Sequence, residues 1–330
     1  MVTTNEPLSS GPEESLEAHG NHEDLACTNP ATGQHVFTLP MCLPEEIEGI
    51  VDRARAAFPD WKSRTFRERA AIMVRARDIM LDRQNEVLDL LVEETGKARC
   101  DAISDVLVMC ETIAYFTRKG RKFLKDETIR SRLWVNKRVV VKYEPRGVVA
   151  NISPWNYPLD LAWSPLVSAL LAGNCVINKP SEFTPRISLK FREILCEAGV
   201  PEDVVQVVVG RGEVGAELCK RVDFVCFTGS TATGKKVASL CGANLIPYTL
   251  ELGGKDPAIV LDDADIERAA NGIVWGAFFN SGQTCVAVER VYVSRDVYVP
   301  FVEAVVEKTR ALRQGIDKGF DVDVGSICTQ

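Results

Sequence analysis

The sequence predicts an α/β fold with a parallel, five-stranded, Rossmann-type sheet covered by helices on both faces. From residue 146 onwards, short and almost continuous apolar runs alternate with stretches of helical periodicity. Strands of a parallel sheet buried on both faces have this composition. Polar or glycine-rich segments follow several of the runs. The predicted strands, in chain order, are GVVANI, CVINK, VVQVVVG, FVCFTG and YTLEL.

The residues before this sheet predict three different kinds of structure. The first 27 residues are acidic and poor in large apolar side chains, which is typical of a disordered tail. Apolar residues then recur at helical spacing from 44 to 125, with Gly96 as a helix end. In 133–143, LWVNKRVVVKY, β-branched and aromatic residues alternate with period two, which predicts an antiparallel strand.

Four predicted helices connect the strands of the sheet, and they cover 158–172, 184–198, 213–221 and 231–241. Beyond the sheet, a strand at PAIVL, a helix at 265–279 and a strand at ERVYV predict the start of a second α/β domain. The resulting organisation is a tail (1–27), a helical part (28–126), a β-hairpin (127–145), a parallel sheet (146–252) and the start of a second α/β domain (253–330).

The composition is typical of a globular protein that binds neither nucleic acid nor a membrane. The chain has 330 residues, of which 46% are hydrophobic and 26% charged, with a formal net charge of -7. An excess of acid disfavours binding to a phosphate backbone. The most apolar stretch, 159–177, is broken by Pro165 and by Gly173, so it predicts a buried helix and strand rather than a membrane span.

Cysteine and histidine usage limits the chemistry further. The eleven cysteines form no C-x-x-C pair, and the N-terminal residues lack the basic start and apolar core of a secretory signal. We therefore expect no metal site, no disulfide framework and a reducing cytoplasm. The three histidines are His19, His22 and His35, so proton transfer in the body of the chain must use other groups.

Polar groups gather where the predicted strands end. Asn156 follows the first strand, and Lys179 with Glu182 follows the second. The segment TGSTATG follows the fourth strand, and Glu251 lies in the fifth. Ligands of parallel sheets bind beyond the carboxyl ends of the strands. Four polar groups at one edge therefore predict a binding site.

Three of these four groups, taken alone, also fit a structural role. The turn 229–234 opens a helix whose N–H groups suit a phosphate, but it also fits an ordinary strand-to-helix turn. Lys179 and Glu182 either hold ribose hydroxyls or form an ion pair at a helix start. Asn156 either forms a turn before Pro158 or donates to a developing oxyanion.

Glu251 and Cys285 have less ordinary surroundings. Glu251 interrupts an apolar run, where an unpaired buried carboxylate is costly. We expect it to have a lysine partner or a raised pKa, which is what a general base for water needs. Cys285 follows Gly282 in the small, polar segment NSGQTC, which gives a reactant access to its sulfur. Other cysteines are expected to be small hydrophobic residues in or near the core, namely Cys175, Cys219, Cys226 and Cys241.

Five motifs together closely resemble the aldehyde dehydrogenase superfamily, and the resemblance extends over about 28–330. They occur in the order PWNYP, NKPSE, FTGSTATG, LELGGKDPAIVLDDADI and FFNSGQTC. Glu251 and Cys285 are 34 residues apart, as the family pattern expects of its glutamate and cysteine. By this resemblance, 28–126 would be the helical part of a cofactor domain, 146–252 its dinucleotide-binding sheet and 253–330 the start of a catalytic domain. The family pattern continues beyond Gln330, so the catalytic domain is expected to be incomplete here.

The resemblance implies the oxidation of an aldehyde to a carboxylic acid. Cys285 would form a thiohemiacetal and then a thioester, and the Asn156 side chain with the Cys285 backbone N–H would hold the oxyanion. Glu251 would activate the water that releases the acid. The implied cofactor residues are Ser153, Pro154, Trp155, Lys179, Ser181, Glu182, Gly229, Ser230 and Leu252.

The resemblance also implies a cofactor and partners. Glu182 favours NAD over NADP, because a 2′-phosphate beside it would be repelled. NADP remains an alternative. The overall pattern is similar to semialdehyde dehydrogenases, with succinate semialdehyde as one substrate and Tyr157 near the entrance. The hairpin 127–145 resembles the family's oligomerisation element, which implies a homodimer or homotetramer.

Two other functions remain open from the sequence. One is a catalytically impaired relative that binds dinucleotide without turnover. The other is a cysteine-dependent acyl transferase or hydrolase with Glu251 as its base. Dependence of turnover on the cofactor distinguishes the three functions.

Overall fold

A computed structural model describes residues 23–130, 136–316 and 319–329. The first described elements form an antiparallel hairpin of β1 (Asp24–Thr28) and β2 (His35–Pro40). The predicted disordered tail is therefore wrong for its last residues, while residues 1–22 lie outside the described residues. The alternating side chains of Leu25 and Cys27 are buried, and this short period-two pattern was hidden by the acidic composition around it.

Four helices follow the hairpin, and they confirm the predicted helical region. They are α1 (Glu46–Ser63), α2 (Phe66–Asp82), α3 (Gln84–Thr95) and α4 (Arg99–Phe123). Helix α2 begins with a capping box, in which the Thr65 hydroxyl accepts from the Glu68 N–H and the Glu68 carboxylate accepts from the Thr65 N–H. Helix α3 ends at Gly96, whose φ of 67° lies in the left-handed region that favours glycine.

A second antiparallel hairpin joins the helices to the central sheet. Strand β3 (Glu127–Ile129) pairs with β4 (Val139–Val141). This confirms an antiparallel excursion in 127–145. The first part of the predicted strand, up to residue 135, lies outside the described residues.

The central sheet has five parallel strands in the order β7-β6-β5-β8-β9, as predicted. The strands and the helices between them, in chain order, are β5 (Val148–Ile152), α5 (Asp160–Ala172), β6 (Cys175–Lys179), α6 (Pro185–Glu197), β7 (Val205–Val207), α7 (Gly212–Arg221), β8 (Phe224–Gly229), α8 (Thr231–Ala243) and β9 (Tyr248–Leu252). Strand β7 is shorter than predicted, because the Val209 carbonyl accepts instead from the Cys42 N–H at 2.8 Å.

Helices cover both faces of this sheet. Helices α1, α7 and α8 pack on one face, and α5 and α6 pack on the other, with α2, α3 and α4 outside them. The apolar stretch 159–177 forms α5 and β6 in the core, as predicted, and the Trp163 and Phe191 rings lie 5.3 Å apart there. Within the described ranges, no helix is both long and apolar enough to span a bilayer.

A smaller α/β unit follows the sheet. It contains β10 (Asp256–Val260), α9 (Ile266–Phe278), β11 (Val288–Val293) and α10 (Tyr298–Ala311), and β10 pairs with β11 in parallel. The sequence did not predict α10, because Pro300 and a run of valines obscure its helical pattern. Pro300 lies in the first turn, where a helix tolerates proline.

Candidate active site

The carboxyl ends of β5, β6 and β8 open into a cavity of about 660 Å³. All of the predicted cofactor residues except one line it, namely Ser153, Pro154, Trp155, Lys179, Ser181, Glu182, Gly229 and Ser230. The exception is Leu252, which is half-buried and packs against Gly234 of α8. The structure therefore brings these residues together at the edge of the sheet that the sequence predicted.

A larger cavity of about 1090 Å³ lies elsewhere and holds none of the predicted site residues. It lies beside the start of β5 and the end of α4, and most of its charged side chains are cationic, such as Arg118, Arg121, Lys122 and Lys125. Cavity size therefore does not identify the site, and the convergence of strand ends does.

Lys179 and Glu182 form an ion pair in the wall of the smaller cavity. Lys179 Nζ lies 3.7 Å from Glu182 Oε2. Burial lowers the pKa of Lys179, and the neighbouring Glu182 carboxylate opposes this effect. The Glu182 side chain is 38% exposed, so its carboxylate keeps acceptor capacity toward the cavity. Lys179 and Glu182 thus form an ion pair, and the Glu182 carboxylate can still accept a hydrogen bond from a ligand hydroxyl.

The start of α8 provides a second wall of the cavity. Ser230 is the N-cap residue, and its hydroxyl accepts from the Thr233 N–H at 3.2 Å. The first turn of a helix has N–H groups without intrahelical acceptors, which suits a phosphate. A Cβ at Gly229 would lie 2.7 Å from the Phe227 ring, so only glycine fits there without a shift.

The sequence reasoning missed a third wall, which α7 provides. Its first residues line the cavity, and α8 adds Lys236. A Cβ at Gly215 would meet Ile152 at 3.5 Å, so α7 packs closely on the end of β5. The signal was the segment GRGEVG, a glycine-rich turn after the third strand at the same edge of the sheet.

The predicted cysteine lies in a conformationally unusual loop. Asn280, Ser281 and Gly282 follow one another with φ of 54°, 57° and 76°, all in the left-handed region. Each non-glycine residue in this region costs about 1–2 kcal/mol, so the surroundings must hold the loop. Cys285 is exposed, whereas the other ten cysteines are buried or half-buried, and all eleven are free thiols. This confirms the expected difference in exposure.

Asn156 contacts this loop directly, although 127 residues separate it from Gln283 in the sequence. Asn156 Nδ2 donates to the Gln283 carbonyl at 2.9 Å. The amide nitrogen carries two N–H groups, so a second donor remains for another acceptor. The Tyr157 hydroxyl lies 2.7 Å from Thr284 Oγ1, and burial raises the pKa of Tyr157 to about 12.

The turn after β9 also approaches the cysteine. A Cβ at Gly254 would lie 3.5 Å from the Cys285 carbonyl oxygen. Glu251, three residues earlier, is exposed, and it makes no lysine ion pair within the described ranges. The expectation that the Glu251 carboxylate is buried is therefore wrong, and with it the reason to expect a lysine partner. The reason is that β9 is an edge strand, and the described residues leave this side chain uncovered.

A buried polar cluster, which the sequence reasoning also missed, lies beneath the cysteine loop. Lys97 Nζ donates to Asp105 Oδ2 at 3.0 Å and to the Asn156 carbonyl at 2.8 Å. Asp101 accepts from the Asn280 N–H, and burial raises the pKa of Asp101 to about 6. The sequence does carry a signal for this cluster, because Lys97, Asp101 and Asp105 are spaced four residues apart. Lys97 lies just before α4, and the two aspartates lie in its first two turns.

The structure is thus that of an α/β protein with a Rossmann-type parallel sheet, a cavity at the carboxyl ends of its strands and an exposed cysteine in a loop that Asn156 contacts. The chain belongs to the aldehyde dehydrogenase family, whose family model matches residues 17–330. This membership confirms the resemblance seen in the motifs.

Two proteins named as NADP(+) dehydrogenases are similar to this chain over most of its length. The chain is 39% identical over 300 residues to a Mycolicibacterium smegmatis protein provisionally named succinate-semialdehyde dehydrogenase (NADP(+)), covering 91% of this chain and 58% of that protein. It is 34% identical over 304 residues to a Picrophilus torridus D-glyceraldehyde dehydrogenase (NADP(+)), covering 91% and 61%. The chain thus spans about 58% of the length of the first of these relatives.

A solved structure confirms the predicted fold. The crystal structure of an aldehyde dehydrogenase from Brucella melitensis biovar abortus matches with a TM-score of 0.90 and 32% identity. The match covers 93% of this chain and 64% of the other.

Proposed function

We propose that this chain carries the cofactor-binding and cysteine-bearing machinery of an NAD(P)-dependent aldehyde dehydrogenase, which oxidises an aldehyde to a carboxylic acid. One observation carries the proposal. The Asn156 amide donates to the Gln283 carbonyl at 2.9 Å, so an amide donor lies beside the loop of the exposed Cys285. Asn156 also lies in the turn that follows β5, and the end of β5 lines the 660 Å³ cavity.

The cavity residues fit a dinucleotide. Glu182 keeps acceptor capacity for ribose hydroxyls, and the first turn of α8 suits a pyrophosphate. Gly215 and Gly229 line the same cavity. NAD(P)+ bound there would supply the acceptor for the two electrons that leave the aldehyde carbon. The remaining chemistry belongs to the side chains of this chain.

Cys285, Asn156 and Glu251 divide the work at the aldehyde carbon. The Cys285 thiolate adds to the carbonyl carbon, and its exposure gives the substrate access. The free N–H of the Asn156 amide and the Cys285 backbone N–H hold the carbonyl oxygen as it gains charge. After oxidation the carbon is a thioester of Cys285. Glu251, exposed to solvent on β9, takes a proton from the water that hydrolyses it.

The cofactor preference needs revision toward NADP+. Glu182 alone favours NAD+, but the names of both relatives carry NADP(+). The cavity also contains Lys179 and Lys236, whose charges offset repulsion of a 2′-phosphate by Glu182. We therefore expect both dinucleotides to bind, with NADP+ bound at least as tightly as NAD+.

The substrate and the assembly are part of the same proposal. The relatives' names support a short aldehyde, with succinate semialdehyde first and D-glyceraldehyde second. Tyr157, held to Thr284, would lie at the entrance. The hairpin of β3 and β4 exposes Ile129 and Val139, which supports its use in a homodimer or homotetramer.

The test measures production of reduced cofactor by the purified 330-residue chain. NAD+ and NADP+ are each supplied with a panel that includes succinate semialdehyde and D-glyceraldehyde. We expect aldehyde-dependent absorbance of the reduced cofactor in the wild type and in Cys196→Ala, a half-buried cysteine on α6. We expect none in Cys285→Ala.

Two other outcomes would favour the remaining functions. Dinucleotide binding by the folded chain without any reduced cofactor would favour the impaired relative. Cleavage of an activated ester that requires Cys285 but no dinucleotide would favour the acyl transferase or hydrolase. Either result, obtained without aldehyde oxidation, would overturn the proposal.

A further inference from the structure

A cluster of five buried or half-buried polar residues lies beneath the cysteine loop, and the proposed chemistry does not use all of it. We name it the loop-anchor cluster. It consists of Lys97, Asp101, Asp105, Asn156 and Asn280. Only Asn156 has a role in the proposed reaction, so the purpose of the four others needs an explanation.

The charge at the centre of the cluster is almost fully removed from water. The side chain of Lys97 is 1% exposed and that of Asp105 is 0% exposed. A buried ion pair is weak as a source of stability, because desolvation offsets most of its attraction. Its attested use is to specify one arrangement of the groups around it. The neighbours of Lys97 therefore indicate what is being arranged.

Besides Asp105, the neighbours of Lys97 are Asn156 and Tyr157, which lie in the turn after β5. The Lys97 ammonium has three N–H groups, of which one donates to Asp105 and one to the Asn156 carbonyl at 2.8 Å. The ammonium also lies 4.7 Å from the centroid of the Tyr157 ring. Lys97 thus contacts both Asn156 and Tyr157, two successive residues that hydrogen-bond to the cysteine loop.

The hydrogen bonds continue from Asn156 into the loop as a closed ring. The Asn156 carbonyl also accepts from Asn280 Nδ2 at 3.1 Å. Asn280 Nδ2 donates as well to the Gln283 carbonyl at 3.1 Å, and this carbonyl accepts from Asn156 Nδ2 at 2.9 Å. A shift of the Asn156 backbone would therefore move both the oxyanion donor and the loop.

The two aspartates connect this ring and Lys97 to the helices around them. Asp105 Oδ1 accepts from the Asp160 N–H at 3.1 Å, which ties Lys97 to the start of α5. Asp101 accepts from the N–H of Asn280, which has left-handed φ. An unfavourable backbone conformation persists where its surroundings over-determine it, and these contacts provide that constraint.

We propose that Lys97 is a positioning residue, which holds the Asn156 backbone so that the Asn156 amide and the Cys285 loop keep one fixed relative arrangement. Lys97 touches neither the sulfur nor the amide donor itself. The proposal rests on the proposed function for its effect on turnover. Its effect on the order of the loop does not depend on turnover.

The test removes both charges of the pair together, so that no unpaired carboxylate stays buried. The variant is Lys97→Met combined with Asp105→Asn, and Lys97→Arg is the conservative variant. Lys62→Met is the matched control, because Lys62 pairs with Glu144 at 2.8 Å on the surface and has no contact with the loop. The first readout is amide hydrogen exchange of a peptide that spans residues 279–287. The second is steady-state kinetics.

In the double variant we expect exchange of the 279–287 peptide to rise about tenfold or more, with exchange in β5 and β6 unchanged. We expect kcat to fall about 100-fold, while KM for the aldehyde and the dinucleotide Kd change less than about twofold. The Lys97→Arg variant should keep most of the protection of the loop against exchange, because the arginine can still donate to the Asn156 carbonyl. Lys62→Met should match the wild type in every measurement.

Three results would overturn the proposal. One is unchanged loop exchange in the double variant, and another is a rise of equal size throughout β5, β6 and β8, which indicates a general structural role. The third is a double variant that does not fold, since a neutral pair should be tolerated there. If the wild type oxidises no aldehyde, the proposed function fails, while the exchange comparison still decides the role of Lys97.

Discussion

The sheet region, residues 146–252, and the described residues that follow it, 253–316 and 319–329, differ in how completely they bury their apolar side chains. Ile177 in β6 is 0% exposed, whereas Ile259 in β10 is 71% exposed and Trp275 in α9 is 66% exposed. The first region has helices on both faces of five strands, whereas the second has one two-stranded sheet and a small core around Phe301. A two-stranded sheet alone is only marginally stable.

The two regions also differ in how the geometry of their functional groups is maintained. The sheet region forms the 660 Å³ cavity with its own residues. The second region carries Cys285, and hydrogen bonds to residues outside the loop help to hold that loop in place. One runs from Asn156 to the Gln283 carbonyl, and another runs from the Cys328 N–H to Gln283 Oε1 at 2.8 Å. The reactive loop thus depends on tertiary contacts more than the cavity does.

Replacing Cys285 tests most directly whether the two regions have separate roles in oxidation and in dinucleotide binding. Cys285→Ala should lower aldehyde oxidation by about 10³-fold or more, since no other group can form the thioester. Dinucleotide affinity should stay unchanged, because the cavity belongs to the sheet region. Initial rates and a fluorescence titration with NADP+ measure the two quantities. A large loss of dinucleotide affinity in this variant would contradict the separation.

The difference in burial can be tested with one pair of matched substitutions. Ile177→Ala should lower the free energy of unfolding by about 2–5 kcal/mol, because it opens a cavity in a closed core. Ile259→Ala should change it by less than about 0.5 kcal/mol, because that side chain is mostly in water already. Urea unfolding of both variants gives the comparison. Equal losses would show that β10 is covered in solution.

The contact between α4 and the cysteine loop should give a pH dependence through Asp101. Burial raises the pKa of Asp101 in the folded chain to about 6, above the ordinary value of 3.8. A raised carboxyl pKa means that the folded state binds the proton more tightly, so the free energy of unfolding falls as pH rises from about 4 to 6.

Asp101→Asn lacks this titration. Its stability relative to the wild type should therefore rise by about 2–3 kcal/mol over that pH range and then stay constant. Thermal or urea unfolding at several pH values measures the difference. A difference that does not depend on pH would show that Asp101 is well solvated in the folded chain.

The smallest expected effect concerns the cavity alone. Glu182→Gln should improve NADP+ affinity relative to NAD+ by about fivefold, because it removes a charge that repels the 2′-phosphate. Lys236→Gln should change the ratio in the opposite direction. Calorimetric titration with both dinucleotides gives the two ratios. If neither ratio changes, the 2′-phosphate binds away from this wall of the cavity.

Local sequence pattern determined most of the fold. Apolar runs such as CVINK and the helical spacing between them predicted the five parallel strands, because burial on both faces demands continuous apolar residues. The rule that ligands bind at the carboxyl ends of such strands predicted most of the cavity wall. Patterns that are short or interrupted failed, as with β1 and with α10.

The composition of a loop also determined that Cys285 is exposed, since small polar neighbours cannot cover a sulfur. Only the tertiary structure decided the exposure of Glu251, because this depends on β9 being an edge strand. Only the tertiary structure joined Lys97, Asn156 and Gln283 across distant parts of the chain. Hydrogen bonds between such distant residues leave no periodic trace in the sequence, so chain packing alone brings the donor and acceptor together.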